Sequence, residues 1–320
     1  MTGVASWGRL SNEKHALRPL EHNTTSLPGR ADSLGIAYGM GRSYGDVCLN
    51  PGGTLWTTTG LDRFIAWDED TGILTCEAGL LLRDIHQLMV PRGWMLPVTP
   101  GTQLATVGGA IANDVHGKNH HMYGSFGDHV RQLHLLRTTG ELLQCGPTHN
   151  PDWLAATVGG LGLTGVITPA SRQLKRIPSP WLDTETIAFN ALDEFFALSD
   201  ASETGWEHTV AWIDCLSGAQ GRGIFMRGNM GAAPPRPQPS TRRRTVPLTP
   251  PVSLVNRLSL RPFNTAYYHL HQHLAGPKQA HYESFFYPLD NLLEWNRIYG
   301  RKGFYQYQSI IPPEAGRDAV

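Results

Sequence analysis

The 320-residue chain is poor in cysteine, carries no net charge and has no long apolar run. Its four thiols, Cys48, Cys76, Cys145 and Cys215, are scattered and form no Cys-x-x-Cys pair. That argues against a thiolate zinc site and against a disulfide framework, and favours free, mostly buried thiols. The 27 basic and 27 acidic residues cancel, so no global charge points to a nucleic acid. Without ~18 consecutive apolar residues, no segment reads as a spanning helix. Residues 1–17 have no continuous apolar core and include Arg9, Glu13, Lys14 and His15, so they do not read as a secretory signal. The expected location is cytoplasmic or membrane-associated, with the periplasmic face also compatible, and peripheral membrane contact stays open.

Several catalytic signatures are absent too. No G-x-S-x-G elbow occurs, because Gly41-Arg42-Ser43-Tyr44-Gly45 places tyrosine at the fourth position. Gly117-Lys118 lacks the upstream glycine and the following Ser or Thr of a P-loop. Gly160-Leu161-Gly162-Leu163-Thr164-Gly165 fits G-x-G-x-x-G by letter, but Val166-Ile167-Thr168-Pro169 follows it. That is strand chemistry, so the helix needed to hold a pyrophosphate is missing and a glycine-rich turn is expected. His116 and His120 have i, i+4 spacing, yet Gly117 and Asn119 weaken a helix there and no His-Glu-x-x-His pattern exists. No metal site is therefore expected. The histidines suit a cofactor pocket better, although His129 and His134 also fit as satisfied core residues.

What the chain does have is two distant glycine-rich stretches. One runs Gly39-Met40-Gly41-Arg42-Ser43-Tyr44-Gly45-Asp46; the other is Thr106 to His121, ending His-Gly-Lys-Asn-His-His. Glycine permits positive φ and close approach of a ligand to main-chain N–H groups, and consecutive N–H groups make an anion-binding concavity. The two stretches look like walls around a diphosphate and a flat ring system.

Around them the pattern is α+β. Strands are expected at 54–59, 63–67, 73–77, 130–136, 141–145 and 165–175, with a hairpin through Asp68-Glu69-Asp70-Thr71-Gly72. Leu81, Ile85, Leu88 and Met89 predict a helix that Pro91 and Gly93 stop, and a short helix is expected at 151–158. Composition shifts near residue 178, which divides the chain into 1–177 and 178–320. In the second part strands are expected at 184–189, 209–215, 223–227, 282–287 and 304–311. Helices are expected near 192–198, 253–273 and 292–299. Residues 231–251, dense in Pro and Arg and including Arg242-Arg243-Arg244, read as a mobile surface loop. That loop suits either solvent or an anionic phosphate or membrane surface. On a strand, Gln306 and Gln308 share one face and suit a heterocycle or a sugar, or simply solvent. Trp212 lies on another strand, where core packing is the commoner role.

Taken together, these motifs resemble the FAD-binding oxidases of the vanillyl-alcohol oxidase, or PCMH-type, fold. Pro100-Gly101-Thr102, Ala156-Thr157-Val158-Gly159-Gly160, Glu294-Trp295-Asn296-Arg297 and Gln306-Tyr307-Gln308 extend the resemblance over nearly the whole chain. It implies a two-domain α+β fold, with FAD bound by residues 1–177 and an antiparallel substrate sheet in 178–320. The implied cofactor residues are Gly39, Gly41, Arg42, Ser43, Tyr44, Gly45, Gly101, Thr106, Gly108, Gly109, Asn113, His116 and Ile167. His116, Lys118 and Gln308 are the implied catalytic residues; Trp212, Gln306 and Lys118 would contact substrate.

The implied reaction is oxidation of a secondary hydroxyl on a polyprenyl-phosphoryl pentose, in arabinan-precursor synthesis, with an epimerising reductase as partner. Hydride would pass to flavin N5 while a base takes the hydroxyl proton. Ser43-Tyr44 stands where covalent relatives carry a flavin-linking histidine, so FAD is expected to dissociate. Family members extend beyond the strand carrying Gln308, into a segment that completes the sheet and carries the lysine resembling the catalytic base. Weak or no activity is therefore expected of this chain alone. The alternatives are an aldonolactone or alditol oxidase of the same fold, and a non-catalytic protein that binds FAD or a sugar-lipid.

Overall fold

In the computed structural model, which describes residues 1–29, 34–218, 221–232, 237 and 243–319, four short strands come first. They are β1 (Thr2–Val4), β2 (Glu13–Pro19), β3 (Gly35–Tyr38) and β4 (Thr54–Thr57), in the order β1-β2-β4-β3. β4 runs parallel to both β2 and β3. It buries Leu55 and Trp56 on opposite faces, as a central parallel strand must.

The second sheet is antiparallel and lies in the order β5-β6-β10-β8-β9. Its strands are β5 (Phe64–Asp68), β6 (Ile73–Glu77), β8 (Val130–Leu136), β9 (Leu142–Cys145) and β10 (Val166–Gln173). The expected β5–β6 hairpin forms, with Gly72 at φ 69° and its N–H donating to Asp68 O at 2.8 Å. Helix α1 (Leu82–Met89) lays Leu82, Ile85 and Met89 on the core that holds Leu133, Leu135 and Ala170. Each such aliphatic side chain contributes about 2 kcal/mol of burial. Strands β7 (Trp94–Met95) and β11 (Lys175–Arg176) make a small ribbon. Three short helices complete this part: α2 (Val107–Ala112), α3 (His120–Tyr123) and α4 (Pro151–Thr157). β10 begins directly after Gly165, so the glycines at 160–165 open no helix.

A third antiparallel sheet, ordered β13-β14-β12-β16, is built from β12 (Trp181–Phe189), β13 (His208–Asp214), β14 (Arg222–Met230) and β16 (Gly276–His281). Helices α5 (Leu192–Ser202) and α6 (Arg257–His273) pack on it. α6 starts at a reciprocal capping box between Asn256 and Ser259. β15 (Arg244–Thr245) and β17 (Leu292–Leu293) pair in parallel.

Three local expectations fail. Residues 282–287 are helical as α7 (Tyr282–Phe286), because i, i+4 spacing sends Tyr282 and Phe286 into one core cluster. The expected helix at 292–299 is the two-residue β17 followed by a 3₁₀ turn, Trp295–Tyr299. Glu294 at φ 57° interrupts it and Gly300 at φ 79° ends it. Residues 304–311 form no strand: among the described residues no neighbouring strand supplies a ladder, and the Phe304 N–H instead donates to Gly8 O at 2.9 Å. Of the Pro/Arg loop at 231–251, residues 233–236 and 238–242, including Arg242, lie outside the described residues.

The chain then returns to its beginning. Trp295 meets Trp7 edge-on at 5.7 Å, Asn296 Nδ2 donates to Trp7 O at 3.0 Å, and Phe304 stacks on Tyr299. Residues 295–304 thus pack on the turn at Trp7 and Gly8 between β1 and β2.

Candidate functional site

The two glycine-rich stretches meet. A Cβ on Gly39 would lie 2.6 Å from Thr106 Oγ1, and one on Gly41 (φ 60°) would lie 2.2 Å from Tyr38 Oη. Thr106 caps α2 by accepting from Gly109 N at 3.1 Å, while Gly108 N donates to Ala78 O at 2.7 Å. Between these loops runs a cleft of ≈ 780 Å³, bordered also by residues 100–102 and 161–167. A Cβ on Gly101 would meet nothing within 4 Å. Glycine there leaves room in the cleft wall.

One end of the cleft is an anion nest. The N–H groups of Gly41, Arg42 and Ser43 donate to no protein acceptor among the described residues. Arg42 lays its guanidinium 4.1 Å over the Trp7 ring and keeps a buried Nε without a partner. Burial pulls the Arg42 pKa down, against the attraction of the Asp290 and Glu294 carboxylates. Unspent N–H donors beside a half-buried cation fit a diphosphate. Asp290 braces this end, accepting from Thr102 Oγ1 at 2.7 Å and Gln103 N at 2.9 Å.

Elsewhere on the cleft wall lie His116, Gln306, Gln308 and Ile167. The His116 Nδ1–H points to Gly117 O at 3.4 Å, and the Gln308 amide N–H donates to His116 Nε2. Of the residues expected to hold cofactor, Gly39, Gly41, Arg42, Ser43, Tyr44, Gly101, Thr106, Gly108, Gly109, Asn113, His116 and Ile167 line the cleft; Gly45 does not. Lys118 and Trp212 are also outside it. Trp212 packs on Tyr267 at 4.7 Å. Lys118 borders a smaller cavity and donates to Phe286 O at 3.0 Å; burial pulls its pKa from 10.5 to about 8. That cavity also holds Glu207, which accepts from Asn119 Nδ2 at 3.3 Å and from His208 at 3.1 Å, and pairs with Lys175. Against the upward push of burial, His208 and Lys175 hold the Glu207 carboxyl down at about 2.

His116 and His120 do not share a helix. His116 bridges Ser125, and its ring centroid is 6.1 Å from that of His120, at the start of α3. Among the described residues, His22, Asp62 and Glu77 do cluster, but Glu77 already accepts from Arg63 N at 2.9 Å, Arg63 Nη2 at 3.1 Å and His22 at 2.8 Å.

The family profile described as FAD binding domain matches residues 32–146. The chain is 37% identical over 295 residues to decaprenylphosphoryl-beta-D-ribose oxidase of Mycolicibacterium smegmatis, covering 88% of this chain and 64% of that protein. Residues 32–146 therefore carry a PCMH-type FAD-binding domain, and FAD is the cofactor. D-lactate dehydrogenase of Anaerostipes hadrus is 31% identical over 182 residues, which cover 55% of this chain and 34% of that protein. For L-gulonolactone oxidase of Mus musculus the figures are 29% over 135 residues, 42% and 30%. The chain thus spans less than two thirds of each of these relatives.

The unpaired N–H groups at residues 41–43 and the open wall at Gly101 have the chemistry and the room that FAD requires. Sequence reasoning missed Asp290, which acts at a distance along the chain, and Trp7, which has no motif around it. It also assigned no ligand role to Leu161, Gly162 and Gly165, which line the cleft. Their glycine-rich run was the available signal, and it borders the cleft without being a Rossmann turn.

Proposed function

We propose that this flavoprotein oxidises a secondary hydroxyl of a lipid-linked pentose. One observation carries the reading: a histidine nitrogen and two glutamine side chains gather on the wall of a cleft whose nest suits a diphosphate. Similarity supports the substrate class. The match to decaprenylphosphoryl-beta-D-ribose oxidase covers 88% of this chain and so extends well beyond residue 177, whereas the matches to oxidoreductases of other substrates cover 55% and 42%.

Bound FAD supplies a hydride acceptor at flavin N5. The chain's own residues supply orientation and proton handling. His116 directs its Nε2 lone pair at the Gln308 amide, so a substrate hydroxyl replacing that amide would donate its proton there. Gln306 and Gln308 offer amide donors and acceptors to the remaining hydroxyls. Lys118, behind the cleft, has a pKa of about 8 and so exchanges a proton near neutrality.

The test is anaerobic. The FAD-loaded chain is mixed with polyprenyl-phosphoryl ribose and, separately, with an aldonolactone. Bleaching of the visible flavin band by the first alone supports the proposal. Bleaching by the lactone alone assigns a different oxidase, and flavin that neither compound reduces points to a binding protein.

A further inference from the structure

From residue 215 to residue 282 the chain has nine basic residues and not one aspartate or glutamate, although the whole chain balances 27 against 27. The remainder is therefore acidic by the same nine charges. Two of the nine are spent inside the third sheet: Arg222 pairs with Asp214 and Arg227 with Glu185. Arg244, Arg257 and Arg261 are exposed and make no ion pair among the described residues.

Exposed apolar side chains stand among these arginines. Leu258 is 90% exposed and Leu248 76%, with Val252, Leu254 and Phe263 also open to solvent. Single exposed leucines are ordinary, but several within sixteen residues, interleaved with unpaired arginines, mark an interaction surface. The segment is ordered by its own bonds. Leu254 N donates to Ile298 O at 2.8 Å, Arg297 Nη1 donates to Val246 O at 3.0 Å, and the Asn256–Ser259 box starts the helix.

We infer that residues 244–263, the approach to α6 and its first two turns, dock on an anionic lipid bilayer. Leu248, Val252, Leu258 and Phe263 enter the interface while Arg244, Arg257 and Arg261 meet lipid phosphates. Apolar residues beside cations are what an interfacial helix needs. A nucleic acid would use the arginines and leave the leucines wet. A second copy joined through the same face would set arginine against arginine, because a two-fold interface repeats one patch. The same segment leans on residues 295–300, whose Trp295 packs on Tyr44 of the cofactor cleft at 5.8 Å. Docking would therefore hold the cleft beside the lipid surface. The inference rests on charge and exposure and not on the reaction proposed above.

Cosedimentation of the full chain with vesicles tests it. Binding is expected to phosphatidylcholine vesicles containing phosphatidylglycerol, and to be weakened by salt. With each arginine near the surface worth about 1 kcal/mol, Arg257→Gln with Arg261→Gln should weaken partitioning about thirtyfold. Leu258→Ser with Phe263→Ser should weaken it as well, and both double variants should keep the parent's thermal unfolding midpoint, since these side chains are exposed. The inference is overturned by equal binding to neutral vesicles, by no binding at low salt, or by double variants that bind like the parent. It also fails if the arginines matter only for a DNA oligonucleotide, or if Leu258→Ser dissolves a dimer that forms without lipid.

Discussion

The carboxylate of Asp290 accepts a hydrogen bond from the Thr102 hydroxyl at 2.7 Å and a second from Gln103 N at 2.9 Å, joining chain segments 188 residues apart. The loop so held is the one that carries Gly101 in the cofactor cleft. Asp290→Ala strands a hydroxyl and a main-chain N–H. FAD affinity in a fluorescence titration should fall about tenfold, equivalent to one lost charge-assisted bond. Asp290→Asn keeps one acceptor and should fall less. Unchanged affinity in the alanine variant would remove Asp290 from the site.

Two glycines in the same cleft should respond differently to a methyl group. Gly41 is at φ 60° with Tyr38 Oη 2.2 Å from a built Cβ, so Gly41→Ala should cost about 1–3 kcal/mol of stability as well as flavin. Gly101 has open space, so Gly101→Ala should leave the unfolding midpoint unmoved and weaken FAD binding only. Paired thermal melts and flavin titrations separate the two; equal melting losses would contradict the assignment of Gly101 to ligand space.

Lys118 gives a pH signature. Its pKa is depressed from 10.5 to about 8 by burial, so folding is penalised while the amine is protonated in both states. Stability rises between pH 8 and pH 10.5, where the folded chain has released the proton and the unfolded chain still holds it. Lys118→Met removes the penalty and loses the bond to Phe286 O. The FAD-free variant should be about 2 kcal/mol more stable at neutral pH, with the advantage shrinking across that window. Urea unfolding at several pH values reads this out, and a pH-independent difference would count against it.

Arg172 is fully buried on β10, 3.4 Å over the Phe126 ring, with all three guanidinium nitrogens lacking a partner. A cation desolvated without hydrogen bonds contributes little to stability. Arg172→Met should keep the fold and match or exceed the parent's stability by about 1–3 kcal/mol. A clear loss in calorimetry would show that the arginine has a partner of its own in solution.

Legibility in the sequence follows the range of the forces. The β5–β6 hairpin, α1, α5 and the strands β13 and β14 were readable because turn chemistry and apolar spacing act over a few residues. Residues 282–287 were misread because a run of aromatics suits a strand as well as a helix. There the burial of Tyr282 with Phe286 decided between them. Residues 304–311 have strand composition, but a strand exists only where another backbone pairs with it.

By itself the sequence determined which glycine-rich loops border the cleft. A glycine that needs positive φ, or that leaves room for a ligand, is a property of its own position, and Gly41 and Gly101 declare it locally. Only the tertiary structure decided which distant groups complete the cleft. Gln308 meets His116 across 192 residues, and Asp290 braces Thr102 across 188, while Trp212 packs on Tyr267 outside the cleft lining. Such pairings come from the packing of whole sheets and of the returning segment at 295–304, and no short stretch of residues carries that information.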